Sequence, residues 1–323
     1  METALVRVQP EAGAVGPLAP VEAAAREYIR QAKAANTVRA YDSDWKHFTA
    51  WCEEHGRQAL PAAPGTVALY LSALAGTHKA SSITRRLSAI SQAHQMAGGE
   101  APAAAAEVRT VLAGIRRAKG TAPRTKAPTL TDDIRRMVAA LPAGLLGVRD
   151  RALLLLGFAG AFRRSELVGL DVSDLEFTTE GLVVSLRHSK TDQEGAGRKV
   201  GIPLGSNPGT CPVHALRDWL KVSGIAEGPV FRCVNRHGHV QLGRLSGYAV
   251  ALVVKRRASA VDLDAARYAG HSLRAGLATS AAIAGASERS IMAQTGHRSV
   301  GMVRRYIRDG SLFRENAAAR AGL

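Results

Sequence analysis

Cysteine, acidic charge and long apolar runs are all in short supply in this chain, and each shortage excludes something. Only three cysteines stand among 323 residues. Cys52, Cys211 and Cys233 are far apart, form no CxxC pair and build no disulfide framework, which points to a reducing compartment such as the cytoplasm. The longest apolar run, Ala152 to Phe162, spans 11 residues, about half the ~20 that a membrane-crossing helix needs. The first residues, METALVRVQPEAG, carry Glu2 and Glu11 with no continuous apolar stretch and do not read as a secretory signal. No GxxxxGK[ST] loop occurs, so a nucleoside triphosphate is not the expected fuel. No acidic residues have the spacing of a two-metal nuclease; Asp132–Asp133 and Asp262/Asp264 read as helix caps or solvated turns. Cys233, His237 and His239 make a short Cys/His tract without a fourth ligand, which reads as a loop on a basic surface rather than a zinc site. No metal and no cofactor is expected.

What the chain has in surplus is positive charge. Lys and Arg number 43 against 27 for Asp and Glu, a formal charge of +16. Residues 1–120 hold 14 basic and 10 acidic residues, residues 121–323 hold 29 and 17, so the surplus lies mainly in the second part. Such a chain is expected to meet a polyanion, nucleic acid first; a surface basic only for solubility is the plainer alternative. With 46% hydrophobic and 22% charged residues it can build ordinary cores, and its length suggests two domains.

Residues 1–20 mix Ala, Gly and Pro without periodicity and read as a disordered arm. From Val21 to Lys119 every segment reads as helix. Val38, Tyr41, Trp45, Phe48 and Cys52 recur at alternating spacings of three and four, a single helical stripe over Asn36–Glu54, with Asn36 as the expected cap and Gly56 just past the end. Further helices are expected over Thr66–Leu74, over Ser82–Ala97 with Ile83, Leu87, Ile90 and His94 on one face, and around Val108, Leu112 and Ile115. Gly120–Pro128, with its prolines and positive charges, reads as the linker, and 129–323 as the second domain. There, helices alternate with two short strands, Leu182–Arg187 and Lys199–Leu204, joined by the polar tip HSKTDQEGAGR. The fold class is mainly α with a small antiparallel β-sheet in the second domain.

A set of cations and one late tyrosine carry the chemistry. Phe162-Arg163-Arg164-Ser165-Glu166-Leu167 follows a buried apolar helix, an odd place for two arginines. Gly270-His271-Ser272-Leu273-Arg274 sets a histidine and an arginine on one face at a helix start, Gly296-His297 precedes the last helix, and Tyr306 follows nine residues later. Taken singly, each has a structural reading: an Arg163–Glu166 ion pair, a turn histidine, a core tyrosine. Together they suit attack on a phosphodiester. Without a metal, fixed guanidinium groups hold the charge that grows on the non-bridging oxygens. A tyrosine hydroxyl serves as nucleophile once its proton is taken, and a lysine or histidine returns a proton to the departing sugar oxygen.

This order and spacing, R-x-S-E-L, then G-H-S-x-R, then G-H, then Tyr, resembles the tyrosine recombinases, or phage integrase family, over residues 21–323. The resemblance implies an N-terminal helical core-binding domain, residues 21–119, followed by an α+β catalytic domain. Tyr306 would be the nucleophile, joining a 3′ phosphate and freeing a 5′ hydroxyl. Arg163 and Arg274 would clamp the phosphate with His297, His271 would assist proton transfer, and Glu166 would orient the arginines. Lys190 in the hairpin tip would protonate the leaving oxygen, with Lys199 as the alternative, and Arg164 competes with Arg163 for its place. The partner would be duplex DNA with an inverted-repeat site, bound by a dimer per site and a tetramer in the synapse. Subunits would exchange C-terminal tails through Leu312 and Phe313. Candidate DNA contacts are Thr37, Arg39, Lys46, Lys79, Arg85, Arg86, Arg244, Lys255, Arg256 and Arg257. The protein would be cytoplasmic, encoded by a bacterium or by a phage, plasmid or mobile element. A catalytically silent DNA-binding protein on the same fold and a type IB topoisomerase-like enzyme remain alternatives.

Overall fold

The computed structural model describes residues 32–122, 125–187 and 197–310, with isolated positions between 20 and 28 and at 321. The expected arm (save Pro20), residues 188–196 of the hairpin tip with Lys190, and the tail with Leu312 and Phe313 lie outside the described residues. The chain divides into two compact units between Arg124 and Thr125.

The first unit is a bundle of α1 (Ala35–Glu54), α2 (Pro64–Ala75), α3 (Ala80–Met96) and α4 (Ala106–Lys119). Its core is the periodic stripe of each helix brought together: Trp45, Phe48 and Cys52 from α1, Val67, Tyr70 and Leu71 from α2, Ile83, Leu87 and Ile90 from α3, and Val108, Leu112 and Ile115 from α4. His94 is buried here and satisfied, its Nε2 accepting from the Ala62 N–H at 2.8 Å. Asn36 does not cap α1. The helix starts one residue earlier, after Ala34, so Asn36 falls inside the first turn and its Oδ1 accepts from Arg39 at 2.8 Å. Gly56 does leave the helix with φ +58.

The second unit is built around α6 (Leu145–Ala159), whose residues Ala152–Leu156 are buried on every side, as befits a helix apolar all round. α5 (Thr131–Ala139), α7 (Arg164–Gly169), α8 (Pro212–Ser223), α9 (Gly247–Ser259) and α10 (His271–Ile283) surround it, followed by α11 (Glu288–Thr295) and α12 (Val300–Gly310). The expected strands are present as β2 (Gly181–Leu186) and β3 (Arg198–Pro203), antiparallel, with the short β1 (Leu175–Phe177) added to the other edge of β2. The Cys/His tract forms a second hairpin, β4 (Arg232–Val234) and β5 (Val240–Arg244). Its turn is tied by Asn235 Oδ1, which accepts from the N–H groups of His237 and His239 at 2.9 Å each. No group of three His, Cys, Asp or Glu residues suited to a metal occurs among the described residues, and no described helix is long and apolar enough to cross a membrane.

The end of the expected linker is pinned to the second unit. The Ala127 N–H donates to the Arg267 carbonyl at 2.8 Å and the Thr129 N–H to the Ser272 carbonyl at 3.0 Å. A β-carbon on Gly276 of α10 would sit 1.9 Å from the Thr129 carbonyl oxygen, so only glycine lets the chain cross the helix there.

A candidate active site around Arg274 and Tyr306

The turn between α6 and α7 sets the first cations. Ala161 holds a left-handed φ of +48, a conformation that costs an alanine roughly 1–2 kcal/mol and persists only where the surroundings fix it. Ala161 and its neighbours Gly160 and Phe162 are all buried, which fixes the bend. Arg163 then stands just before α7. Glu166, buried on the first turn, accepts the Arg163 N–H on Oε2 at 2.9 Å and its guanidinium on Oε1 at 2.5 Å. The Arg163–Glu166 ion pair is thus real and sits in the site. Arg164 is exposed, with its stem beside Gly247 and Gly270.

Arg274 on α10 is fully buried. One terminal nitrogen donates to the Ala161 carbonyl at 2.8 Å, so the strained turn aims an acceptor at it. The other terminal nitrogen is buried without a hydrogen-bond partner among the described residues. Burial, then the neighbouring Arg163, lower its pKa to about 10, which leaves it charged at neutral pH. A buried orphan donor ordinarily costs ~1–3 kcal/mol, and a guanidinium nitrogen of this kind is able to donate to an anionic oxygen.

His271 opens α10, one turn before Arg274, and its Nε2 lies 3.1 Å from the Tyr306 hydroxyl on α12. Burial, then the charges of Arg274 and Arg163, lower the His271 pKa, so the ring is neutral and able to take a proton. Tyr306 also borders a small apolar cluster of Ala278, Ala282, Ile291 and Val303, through which α12 rests on α10 and α11. The His297 ring centre is 5.8 Å from that of Tyr306. Burial first, then the surrounding cations, bring the His297 pKa down to about 4. The Thr295 hydroxyl donates its one proton to the Ile291 carbonyl at 2.7 Å, so it accepts from His297 Nδ1, also at 2.7 Å, and Nδ1 carries the ring proton.

Three residues that the sequence did not single out complete this corner. Arg198 on β3 reaches the last carbonyls of α11, Gln294 sends its amide to β3 and α6, and Thr295 sets the His297 tautomer. Only Arg198 left a signal: β3 buries Val200 and Ile202, and Arg198 shares that face by the strand's period of two. Lys199, the alternative to Lys190, is on the opposite, exposed face.

The candidate DNA contacts separate by burial. In the first unit Thr37 is half-buried at the start of α1, Lys79 is exposed before α3, Arg39 is exposed beside Asn36, and exposed Lys46 pairs with Asp42 at 2.8 Å. Arg85 grips the buried Asp44 through two hydrogen bonds, and Arg86 is mostly buried, donating to the Tyr70 hydroxyl at 2.8 Å. Arg244 is tied to Asp171 and to the Val168 and Leu170 carbonyls. Lys255 is half-buried and Arg256 exposed. Arg257 is buried on Asp150, which gives it a core role in place of the surface contact expected of it: the helix repeat turns it inward while Arg256 faces out.

The chain is similar to known proteins. Residues 129–311 match the phage integrase family, and residues 26–100 match the phage integrase N-terminal SAM-like domain. An integrase/recombinase xerD homolog of Selenomonas ruminantium is 43% identical over 300 residues, covering 92% of this chain and 88% of that protein. The recombinase cre of Escherichia phage P1 is 26% identical over 301 residues, 87% of this chain and 86% of that protein. Among solved structures, the Tn1549 transposon integrase in complex with transposon right end DNA superposes with a TM-score of 0.59 at 15% identity, over 90% of this chain and 96% of that one, a likeness of fold. Neither the silent DNA-binding protein nor the topoisomerase is favoured among these relatives. The chain belongs to the phage integrase family, the tyrosine-type site-specific recombinases, enzymes that cleave and rejoin DNA strands.

Proposed function

We propose that Tyr306 attacks the scissile phosphate of duplex DNA with its phenolic oxygen. The new bond joins that oxygen to phosphorus, and the bond from phosphorus to the 5′ oxygen breaks. His271 takes the phenol proton, for which its 3.1 Å approach to the hydroxyl is the observation that carries the reading. Arg163 and Arg274 hold the non-bridging oxygens, the unpartnered nitrogen of Arg274 among the donors, and Glu166 orients Arg163. His297 adds a donor once an anion raises its pKa. Lys190 protonates the leaving oxygen. The phosphotyrosyl ester keeps the energy of the broken bond, so a second 5′ hydroxyl reseals the strand without nucleotide or metal.

The site is an inverted repeat bound by two protomers, four in the synapse, with tails carrying Leu312 and Phe313 passed between them. The protein acts in the cytoplasm, and exposed Arg39, Lys46, Lys79 and Arg256, with Thr37 and Lys255, contact the backbone, so binding weakens steeply with salt. The experiment is covalent capture. Nicked duplexes of random sequence are incubated with the full chain, and complexes that survive boiling in detergent are recovered. Wild type gives adducts that retain a label on the strand segment 5′ of the break, whose 3′ phosphate joins the tyrosine, and Tyr306→Phe gives none while still binding DNA. Wild-type protein that binds DNA but forms no adduct overturns the reading.

A further inference from the structure

Arg198 is the last residue of β3 paired to β2 before the hairpin tip, opposite Leu186. Its guanidinium lies under the end of α11, with one terminal nitrogen donating to the carbonyls of Ala293 at 3.4 Å and Gln294 at 3.2 Å and the other to Thr295 at 3.5 Å. These are the terminal carbonyls that a helix leaves without partners, and a cation there also meets the negative end of the helix dipole. The fit is close. Gly296, which ends the helix at φ +65, would bring a β-carbon to 2.7 Å from Arg198 Nε, so glycine is needed for both the turn and the guanidinium.

The contact is returned. The Gln294 side chain, from the same last turn, donates to the Ala159 carbonyl at 2.8 Å and to the Gly201 carbonyl of β3 at 3.2 Å. Strand, helix end and the close of α6 are thereby locked in one corner, directly before His297 on one side and the Arg163 turn on the other. Arg198 makes no ion pair among the described residues, and it lies close enough to the Glu166–Arg163 pair to feel the attraction of the carboxylate and the repulsion of the guanidinium.

We propose that Arg198 is a positioning residue for strand cleavage: its fork on the three terminal carbonyls of α11 fixes the Gly296–His297 turn, and the base of the hairpin that carries Lys190, in one arrangement about the scissile phosphate. This rests on the reading of His297 as a phosphate donor. Lysine, a single compact charge without a planar fork, cannot set two separate nitrogens on the carbonyls as Arg198 does.

The test uses the full chain and the nicked duplex recovered by covalent capture. Arg198→Lys and Arg198→Met are expected to slow single-turnover adduct formation at least about tenfold while DNA affinity stays within about threefold of wild type. A merely structural role would lower affinity and melting temperature together with rate, and Arg198→Lys would restore all three. His297→Phe, run alongside, is expected to be slow as well. Wild-type cleavage by His297→Phe removes the reading beneath the proposal; wild-type cleavage by Arg198→Lys, with His297→Phe slow, removes the proposal alone. A readout without DNA keeps it exposed even if one variant folds poorly. Long-range 15N spectra of the histidine-labelled chain are expected to show His297 protonated on Nδ1 in wild type and averaged between tautomers in Arg198→Lys, and an unchanged His297 signal in that variant overturns the proposal.

Discussion

Two buried carboxylates in the second unit each gather arginines, with opposite results. Asp150 is completely buried, and both its oxygens are taken. Oδ1 accepts from Arg149 at 3.1 and 2.7 Å, and Oδ2 accepts from Arg257 at 2.9 and 2.5 Å. Glu166 binds the Arg163 backbone with one oxygen and the Arg163 side chain with the other, and makes no hydrogen bond to Arg274. The first cluster is closed and has no use for a ligand. The second keeps one Arg274 nitrogen without a hydrogen-bond partner among the described residues, one helical turn from the histidine that meets the tyrosine hydroxyl. A buried arginine therefore marks function through what its carboxylate leaves undone, not through burial itself.

The comparison breaks most sharply at Arg274. Arg274→Met removes an oxyanion donor, for which losses of about 10²- to 10³-fold in rate are typical, so adduct formation on the captured duplex should fall by at least about 100-fold. Stability should move by only ~1 kcal/mol, because relief of the orphan nitrogen offsets loss of the bond to the Ala161 carbonyl. A variant that instead unfolds, with its melting temperature lowered as far as the Asp150 variant below, would make the two clusters alike.

At Asp150 the order of effects reverses. Asp150→Ala leaves the guanidinium groups of Arg149 and Arg257 facing each other in the core, and removing one partner of a buried pair costs ~3–5 kcal/mol. Urea unfolding should show that loss, while any protein that remains folded at low temperature cleaves at close to the wild-type rate. Normal stability in Asp150→Ala would mean that the closed cluster carries no more energy than an exposed pair.

Much of this contrast is legible in the sequence, and the remainder has physical reasons for being hidden. The helices of the first unit follow from apolar spacing, since Trp45, Phe48 and Cys52 face one core whatever the partners. Arg163, His271, Arg274, His297 and Tyr306 stand out by motif, and the structure brings them to one corner. Arg257 misled because a run of three basic residues, Lys255-Arg256-Arg257, looks like a solvated stripe, whereas on a helix adjacent residues are turned by about 100°. Its partner Asp150 lies 107 positions away, beyond any local pattern. Arg198 was hidden for the same reason, because its carbonyl partners are 95 to 97 residues distant. The strands β1, β4 and β5 are three to five residues each, too short for alternation to announce them.

The smallest effect tests the electrostatics of the open cluster without any DNA. The unfolded chain binds a proton at His297 near its ordinary value of 6.5, and the folded chain only near pH 4, because burial and the nearby guanidinium groups disfavour the charged ring. Between those values the unfolded state holds more protons, so stability rises with pH across that window, is fully present above about 6.5, and is lost as pH falls towards 4. The lowered His271 pKa adds in the same direction. Melting temperature should therefore drop more from pH 7 to pH 4.5 in wild type than in His297→Phe, whose neutral ring has nothing to protonate. Sulfate should shrink the difference by seating an anion on the Arg274 nitrogen and raising the His297 pKa. Identical pH dependence in the two proteins, with and without sulfate, would show that the cations around Arg274 do not sense one another and that the open cluster is open in geometry alone.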